Sequence, residues 1–571
     1  MEKWVVTAKK ADFNGIGQRF GIDPVIARLI RNRDVVGDEA VRQYLYGKAG
    51  ELPSPWLMKD MGKAVEILKE KIRTHAKIRI IGDYDIDGVT STYILLKGLR
   101  RLGAKADTYI PDRVADGYGI HQHLVERAAA DGIDTIVTCD NGIAASAEIA
   151  SAKEKGMTVV VTDHHEIPYI DTENGREYRL PPADAILNPK QPHCGYPNKN
   201  LCGAVVAMKL VFALYETYHI PEEEREEYLE LAAIATVGDV MDLQGENRIL
   251  VKEGLARLPY TKNYGLRELI RAVGLEGARI TAYHIGFVLG PCINASGRLD
   301  TASRSLALLQ AKSQDEAARL AGDLKALNDS RKSLTEKGKE EAIRLIESSS
   351  LKNDRVLIVY LPDCHESLAG IIAGRVREKY NRPAFVLTKG EQFVKGSGRS
   401  IEAYSMYEEL VKCEDLMEQF GGHPMAAGLS IKEENVEAFR RRMNENCTLT
   451  QEELIPKVVI DVPMPISYVR RDLVEQLSLL EPFGKGNTKP LFAQKGIRVS
   501  GLRIFGKNRN VAKMQIMDQT GTVMDAVYFG EAEEFAAFSR EHGVISVTYY
   551  PEINSYQGRE TLQAVIRNYC A

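Results

Sequence analysis

In MTVVVTDHHEIP, residues 157–168, an uncharged β-branched run stops on an aspartate and two histidines. The run suits a strand buried on both faces, because branched side chains pack well on a pleated surface. Asp163, His164 and His165 all bind metals or move protons, and they fall where such a strand would end. The same apolar pattern recurs in KIRIIG (77–82), AKADTYI (104–110), IDTIVT (133–138) and ADAIL (183–187). VTSTYILLKGLRRLG and ASAEIASAKEKG, between them, have helical periodicity and close on glycine. The alternation predicts an α/β fold, a parallel sheet covered by helices on both faces.

The chain has 571 residues, 44% of them hydrophobic and 27% charged, which suits three or four globular domains. Its net charge of −4 excludes the basic signature of a protein that coats nucleic acid, although local cations can still hold a polyanion. Eight scattered cysteines with no C-x-x-C pair suggest reduced thiols rather than a zinc cage or a disulfide framework. No long uncharged apolar run occurs and MEKWVVTAKK lacks the layout of a signal peptide, so no membrane association and a cytoplasmic location are expected.

Residues 1–76 read as a helical lead-in and 77–312 as the first α/β domain. The charged, nearly proline-free segment at 313–349 reads as connecting helices, and 350–455 as a second, smaller α/β domain. Short strands and turns over 456–571 suggest a C-terminal β-barrel. Within it Phe505, Tyr528 and Tyr556 alternate as core aromatics do.

GDYDIDG sets Asp83, Asp85 and Asp87 after the first strand, TCDNG sets Asp140 after the third, and ATVGDVMDL delivers Asp239. In an open α/β sheet the carboxyl ends of neighbouring strands converge on one crevice, so these groups should meet Asp163, His164 and His165. Crowded carboxylates repel one another unless cations separate them. Mixed oxygen and imidazole donors suit Mn²⁺, with Mg²⁺ or Fe as alternatives, and a pair of such ions would serve phosphate ester hydrolysis. Taken singly, each motif has a plainer reading: a calcium loop for DxDxDG, a turn for Asp-Asn-Gly, a capped helix start for His-His.

In order, GDYDIDG, TCDNG, TDHH and ATVGDVMDL resemble the four motifs of the DHH phosphoesterase superfamily. DGYGIH (116–121), LNPKQ (187–191), LCGAVVA (201–207), GPCINASGRL (290–299), GSGRS (396–400), GGHPMAAG (421–428) and LEPFGKGN (480–487) resemble its single-strand-specific 5′ to 3′ exonucleases. The resemblance implies a DHH domain, connecting helices, a DHHA1-type domain and an OB-like barrel. It implies Asp85, Asp87, Asp140, His164 and Asp239 as ligands of two divalent cations, Mn²⁺ favoured over Mg²⁺, with Asp140 bridging. His165 would meet the scissile phosphate or protonate the leaving oxygen, and Asp83 would support the ligand loop. Arg113 and Tyr118 would contact the nucleotide, Arg298 would clamp backbone phosphate, Ser397 and Arg399 would recognise the 5′ phosphate, and His423 would line the same channel. Ile81 stands where some relatives carry His, and Cys292 where relatives often carry Arg.

The partner so implied is single-stranded DNA with a 5′ end, degraded to 5′-mononucleotides in DNA repair and recombination. A single-strand-binding protein and a helicase are further partners that the resemblance raises, for a monomer working at the nucleoid. Two other readings stay open: a DHH enzyme that cuts oligoribonucleotides or cyclic dinucleotides, and a non-catalytic replication scaffold, against which the full ligand set argues.

Overall fold

The computed structural model describes residues 2–113, 115–173, 175–556 and 558–571, without the side chain of Tyr556. They form two compact units, the first from Pro53–Met241 and Glu253–Pro456, the second from Glu2–Leu52, Asp242–Lys252 and Lys457–Ala571.

The first unit carries a five-stranded sheet, parallel throughout, in the order Lys105–Tyr109, Lys77–Ile81, Thr135–Cys139, Thr158–Thr162, Ala185–Leu187. Every residue of Thr135–Cys139 is buried, as a strand covered on both faces requires. The helix Ile86–Arg101 packs so closely on Gly203–Thr217 that a Cβ on Gly98 would lie 2.6 Å from Val211. One continuous helix, Gln314–Ser348, then spans roughly 50 Å at the α-helical rise. It leads to a second five-stranded sheet in which Leu357–Tyr360 and Ala384–Lys389 are parallel, while Val394–Arg399, Ala426–Ile431 and Met417–His423 add antiparallel.

An exposed hairpin, Tyr169–Thr172 with Gly175–Tyr178, has no counterpart in the sequence reading. Both of its strands are exposed along their whole length, so no apolar alternation announces them.

In the second unit the strand Phe492–Phe505 pairs with both Val511–Met517 and Ile545–Tyr556, which closes a five-stranded barrel. The expected lead-in 1–76 is divided. Lys3–Val6 pairs in parallel with Lys457–Ile460, and Ile26, Leu29 and Leu45 share one core with Leu473, Phe492 and Tyr549. The buried Arg248 secures the arrangement by donating to the carbonyls of Tyr44, Leu479 and Leu480. Helical periodicity shows that a helix is amphipathic and leaves open which core it covers.

Glu230, buried in the helix Glu226–Gly238, accepts a hydrogen bond from the Thr261 hydroxyl at 2.6 Å. Burial pushes its pKa up to about 7 in spite of that bond. The folded state therefore keeps a proton that the unfolded chain releases near 4.5, so stability falls as pH rises between these values and stays lowered above them. Glu230→Gln is expected to raise stability by ~2 kcal/mol at pH 8 and to leave it nearly unchanged at pH 5, as read by scanning calorimetry at both pH values.

Candidate active site

The strand order of the parallel sheet reverses between Lys77–Ile81 and Thr135–Cys139, and a ligand crevice forms at such a switch point. Asp85 leaves the first of these strands as the N-cap of the helix Ile86–Arg101, accepting from the amides of Asp87 and Gly88 at 2.9 and 3.0 Å. Asp140 follows the other strand with a φ of 60°, a left-handed conformation that aspartate tolerates. The N-terminus of the helix Gly203–Thr217 abuts both loops. The amides of Gly203 and Ala204 donate to the Asp87 carboxylate at 2.6 and 2.8 Å. A Cβ on Gly203 would sit 2.7 Å from that of Asp140, so only glycine fits there.

His164 Nε2 lies 3.0 Å from Asp140 Oδ1, 3.6 Å from Asp87 Oδ2 and 3.7 Å from Asp239 Oδ2. Although close to that nitrogen, the buried Asp140 Oδ1 makes no well-directed hydrogen bond, an arrangement that suits two ligands of one ion. Three sets of donor atoms lie within 4.8 Å of one another: Asp140, His164 and His165; Asp87, His164 and Asp239; Asp83, Asp85 and Asp140. Asp140 and His164 each belong to two of these sets.

Burial and the charge on Asp85 push the Asp83 carboxyl up to about 8, and burial with neighbouring carboxylates raises Asp85 and Asp140 as well. Divalent cations fit this donor set, since they would replace protons as the balancing charge.

The two histidines have opposite environments. Burial lowers the pKa of His164, which favours the neutral imidazole that ligates metals. Burial also opposes the imidazolium of His165, but its 2.8 Å hydrogen bond to Asp163 and the surrounding carboxylates raise it to about 9. Asp163 also accepts from the amides of Ile143, His164 and His165, which fixes the turn. The hydroxyl of Tyr118 donates to the Asp140 carbonyl and lies 3.1 Å from His165 Nδ1. Tyr118, 48% exposed, thus keeps its hydroxyl tied beside the histidine while much of the residue stays accessible to solvent.

A cavity of about 1210 Å³ opens beside this cluster, lined by Tyr84, Arg113, Ser367, Lys395, Phe420 and Leu429 among others. The Arg113 guanidinium lies 4.6 Å from the centroid of the Tyr84 ring. Arg298 Nη1 donates to the Ser367 carbonyl at 2.8 Å, and Ser367 Oγ returns a bond to the Arg298 carbonyl. Arg399 donates to Ser397 Oγ at 3.2 Å, and both crowd Gly370, where a Cβ would lie 2.7 Å from each. Among the described residues neither Arg298 nor Arg399 has a carboxylate within ion-pair distance. Burial and the charge on Arg113 lower the pKa of both, Arg298 to about 9. An arginine stays charged in proteins, so Arg298 and Arg399 carry charge with no carboxylate against them, next to a cavity lined both by Arg113 and Lys395 and by Glu366, Glu414, Asp415 and Glu418.

His423 is exposed at the end of Met417–His423, two residues beyond Gly421, which lines the cavity. Ile81 is buried in the core, so no imidazole approaches from there. Cys292 is also buried: it receives a hydrogen bond from Asn328 and donates to the Val288 carbonyl. In the barrel Phe505 is exposed, whereas Tyr528 stacks on Phe535 with centroids 4.9 Å apart. Sequence reasoning missed Asn294, which accepts from the Ile86 amide, together with Ser367 and Gly370. Asn294 lies inside a quoted motif, but Ser367 and Gly370 sit in an ordinary helical sequence.

Models of the DHH family N-terminal domain, the DHHA1 domain and the RecJ OB domain match residues 77–236, 353–448 and 460–568. The single-stranded-DNA-specific exonuclease RecJ of Escherichia coli is 34% identical, over 96% of this chain and 96% of its own length. This chain belongs to the RecJ family. The Bacillus subtilis RecJ is 36% identical, over 99% of this chain and 70% of its own. The crystal structure of Thermus thermophilus RecJ in complex with Mn²⁺ superposes with a TM-score of 0.84 at 29% identity, covering all of this chain and 79% of that one. A second, in complex with Mg²⁺, gives 0.77 at 27% identity, over 99% of this chain and 78% of that one. Among the described residues no helix is long and apolar enough to cross a membrane.

Asp163→Asn would remove the negative charge that keeps His165 protonated and one of the two oxygens that fix its turn. Phosphodiesterase turnover is expected to fall about 10- to 100-fold, the range for groups that orient a metal site from outside, while Mn²⁺ binding by calorimetry changes less.

Proposed function

We propose that the chain is a metal-dependent exonuclease that hydrolyses single-stranded DNA from its 5′ end and releases 5′-mononucleotides. The observation that carries the reading is the sharing of Asp140 and His164 among three donor sets, near two arginines, Arg298 and Arg399, that have no carboxylate partner among the described residues. Asp85, Asp87, Asp140, His164 and Asp239 would hold two divalent cations, Mn²⁺ in preference to Mg²⁺, with Asp140 between them. Asp83 adds its carboxylate to the Asp85 and Asp140 set, beyond the loop-supporting role expected of it. When bound, the two cations lower the pKa of a water and offset charge on the attacking and leaving oxygens.

The chain's own groups supply position and a proton. Ser397 and Arg399 take the terminal 5′ phosphate, through a hydroxyl and a planar fork that match its oxygens, and Arg298 beside them clamps backbone phosphate. Arg113 steers the backbone past Tyr84. His165, charged and half exposed beside Asp140, donates to the scissile phosphate or to the leaving 3′ oxygen. Cleavage there frees one nucleotide and leaves a new 5′ phosphate on the shortened strand, which the same pocket accepts in the next round. The enzyme would act as a monomer in the cytoplasm during DNA repair, on strands exposed by a helicase and covered by single-strand-binding protein.

Asp140→Asn should reduce cleavage of an end-labelled single strand by at least ~100-fold, because several kcal/mol of charge stabilisation depend on that carboxylate. The calorimetric Mn²⁺ titration should lose a binding event in the same variant. Arg399→Ala should raise KM for 5′-phosphorylated strands about 10- to 100-fold and leave 5′-hydroxyl strands nearly unaffected, since the lost hydrogen bond is to a charged group. Degradation from the 3′ end would contradict the assignment.

A further inference from the structure

Beyond the residues assigned so far, two large rings lie exposed to solvent, stacked on each other. Tyr283 and Phe287 are 63% and 62% exposed, with centroids 4.9 Å apart and planes 25° from parallel. They belong to one helical run, Ala282–Leu299, whose segment Ile285–Leu289 is a π-helix. Such turns are rare and concentrate at functional sites.

The same run passes along the active site. Arg298, near its C-terminal end, reaches the phosphate pocket through Ser367. Asn294 accepts from the Ile86 amide at 2.8 Å, inside the Asp85–Asp87 loop. Gly286, next to Phe287, packs on the helix that presents Asp239: a Cβ there would lie 3.8 Å from Val237. Directly after Asp239, Val240 is exposed with a φ of 55°, a conformation that strains a β-branched residue. The end of the run that bears the aromatic pair therefore packs on the Asp239 side of the carboxylate cluster, and Arg298 lies toward its other end, roughly 16 Å from Phe287 and about 22 Å from Tyr283 along the run at the α-helical rise.

Strand polarity then fixes what meets the rings. This step rests on the 5′-end reading proposed above. With the terminal phosphate held at Ser397 and Arg399, on the Arg298 side, and the scissile phosphate at the carboxylates, the undigested strand leaves toward Asp239. We infer that Tyr283 and Phe287 form a stacking platform for the bases of the uncleaved strand, on the 3′ side of the scissile phosphate. Every base has a π-face, so the platform grips the strand without reading its sequence. It also accounts for the exposure of two aromatics that pack on each other and leave their outer faces in water.

The test measures KM for 5′-phosphorylated oligonucleotides with Mn²⁺, using strands that carry a single abasic site at successive positions from the 5′ end. It is run on the full chain and on Tyr283→Ala/Phe287→Ala, whose folding is checked by circular dichroism. In the unmodified protein, abasic sites a few nucleotides downstream should raise KM by roughly tenfold, the effect of one lost stack. The double variant should show a similar rise on the intact strand and lose its sensitivity to abasic position. The abasic series on the unmodified protein remains decisive even if the variant misfolds. A flat series on a strand that is cleaved would overturn the platform and leave the function standing, as would a folded variant with unchanged KM. No cleavage of the intact strand would remove both.

Discussion

The organisation of the first unit follows from one electrostatic constraint: several carboxylates are held out of water at the edge of a single sheet. Asp83, Asp85 and Asp140 are all raised by burial and by one another. Taken alone, such a cluster destabilises the fold, because each ion loses its hydration. The surrounding structure is built to hold it regardless. Amides of one helix cap Asp85, the N-terminus of another faces Asp87, and Gly203 lets that helix approach Asp140. Local strain, such as the left-handed Asp140, is tolerated where the structure around it fixes the geometry.

The same economy separates two adjacent histidines. His164 points into the carboxylates and is buried, so its neutral form is favoured. His165 turns to Asp163 and keeps a proton. One turn thereby holds two imidazoles of opposite protonation tendency at consecutive positions, and the difference comes from Asp163 and burial rather than from the imidazoles themselves.

Much of this was legible in the sequence. Parallel strands are apolar runs, and the chemistry collects at their carboxyl ends, so Asp85, Asp140 and His164 could be brought together before any coordinates. Their detailed partners were less legible. Tyr118 reads as a stacking residue, yet its hydroxyl is tied to the Asp140 carbonyl. Ser367 matters through its carbonyl and a hydroxyl that any helix N-terminus could carry, and Gly370 through a missing side chain, so neither stands out in the sequence. The division of 1–76 escaped notice because the second unit is assembled from three separated stretches of chain, a tertiary fact that local periodicity does not carry.

The reciprocal bonds between Arg298 and Ser367 link the two halves of the first unit in the place where length matters most. One of these residues extends the helical run that underlies the carboxylates, and the other opens the helix Glu366–Tyr380 that carries Gly370 against Arg399. A terminal phosphate held on one side and a scissile phosphate on the other would then be separated by a distance that the protein sets. Under the proposed reading that distance is one nucleotide. Exonucleolytic cutting in single-nucleotide steps would then follow from a rigid spacing between two anion sites, without any recognition of the base between them.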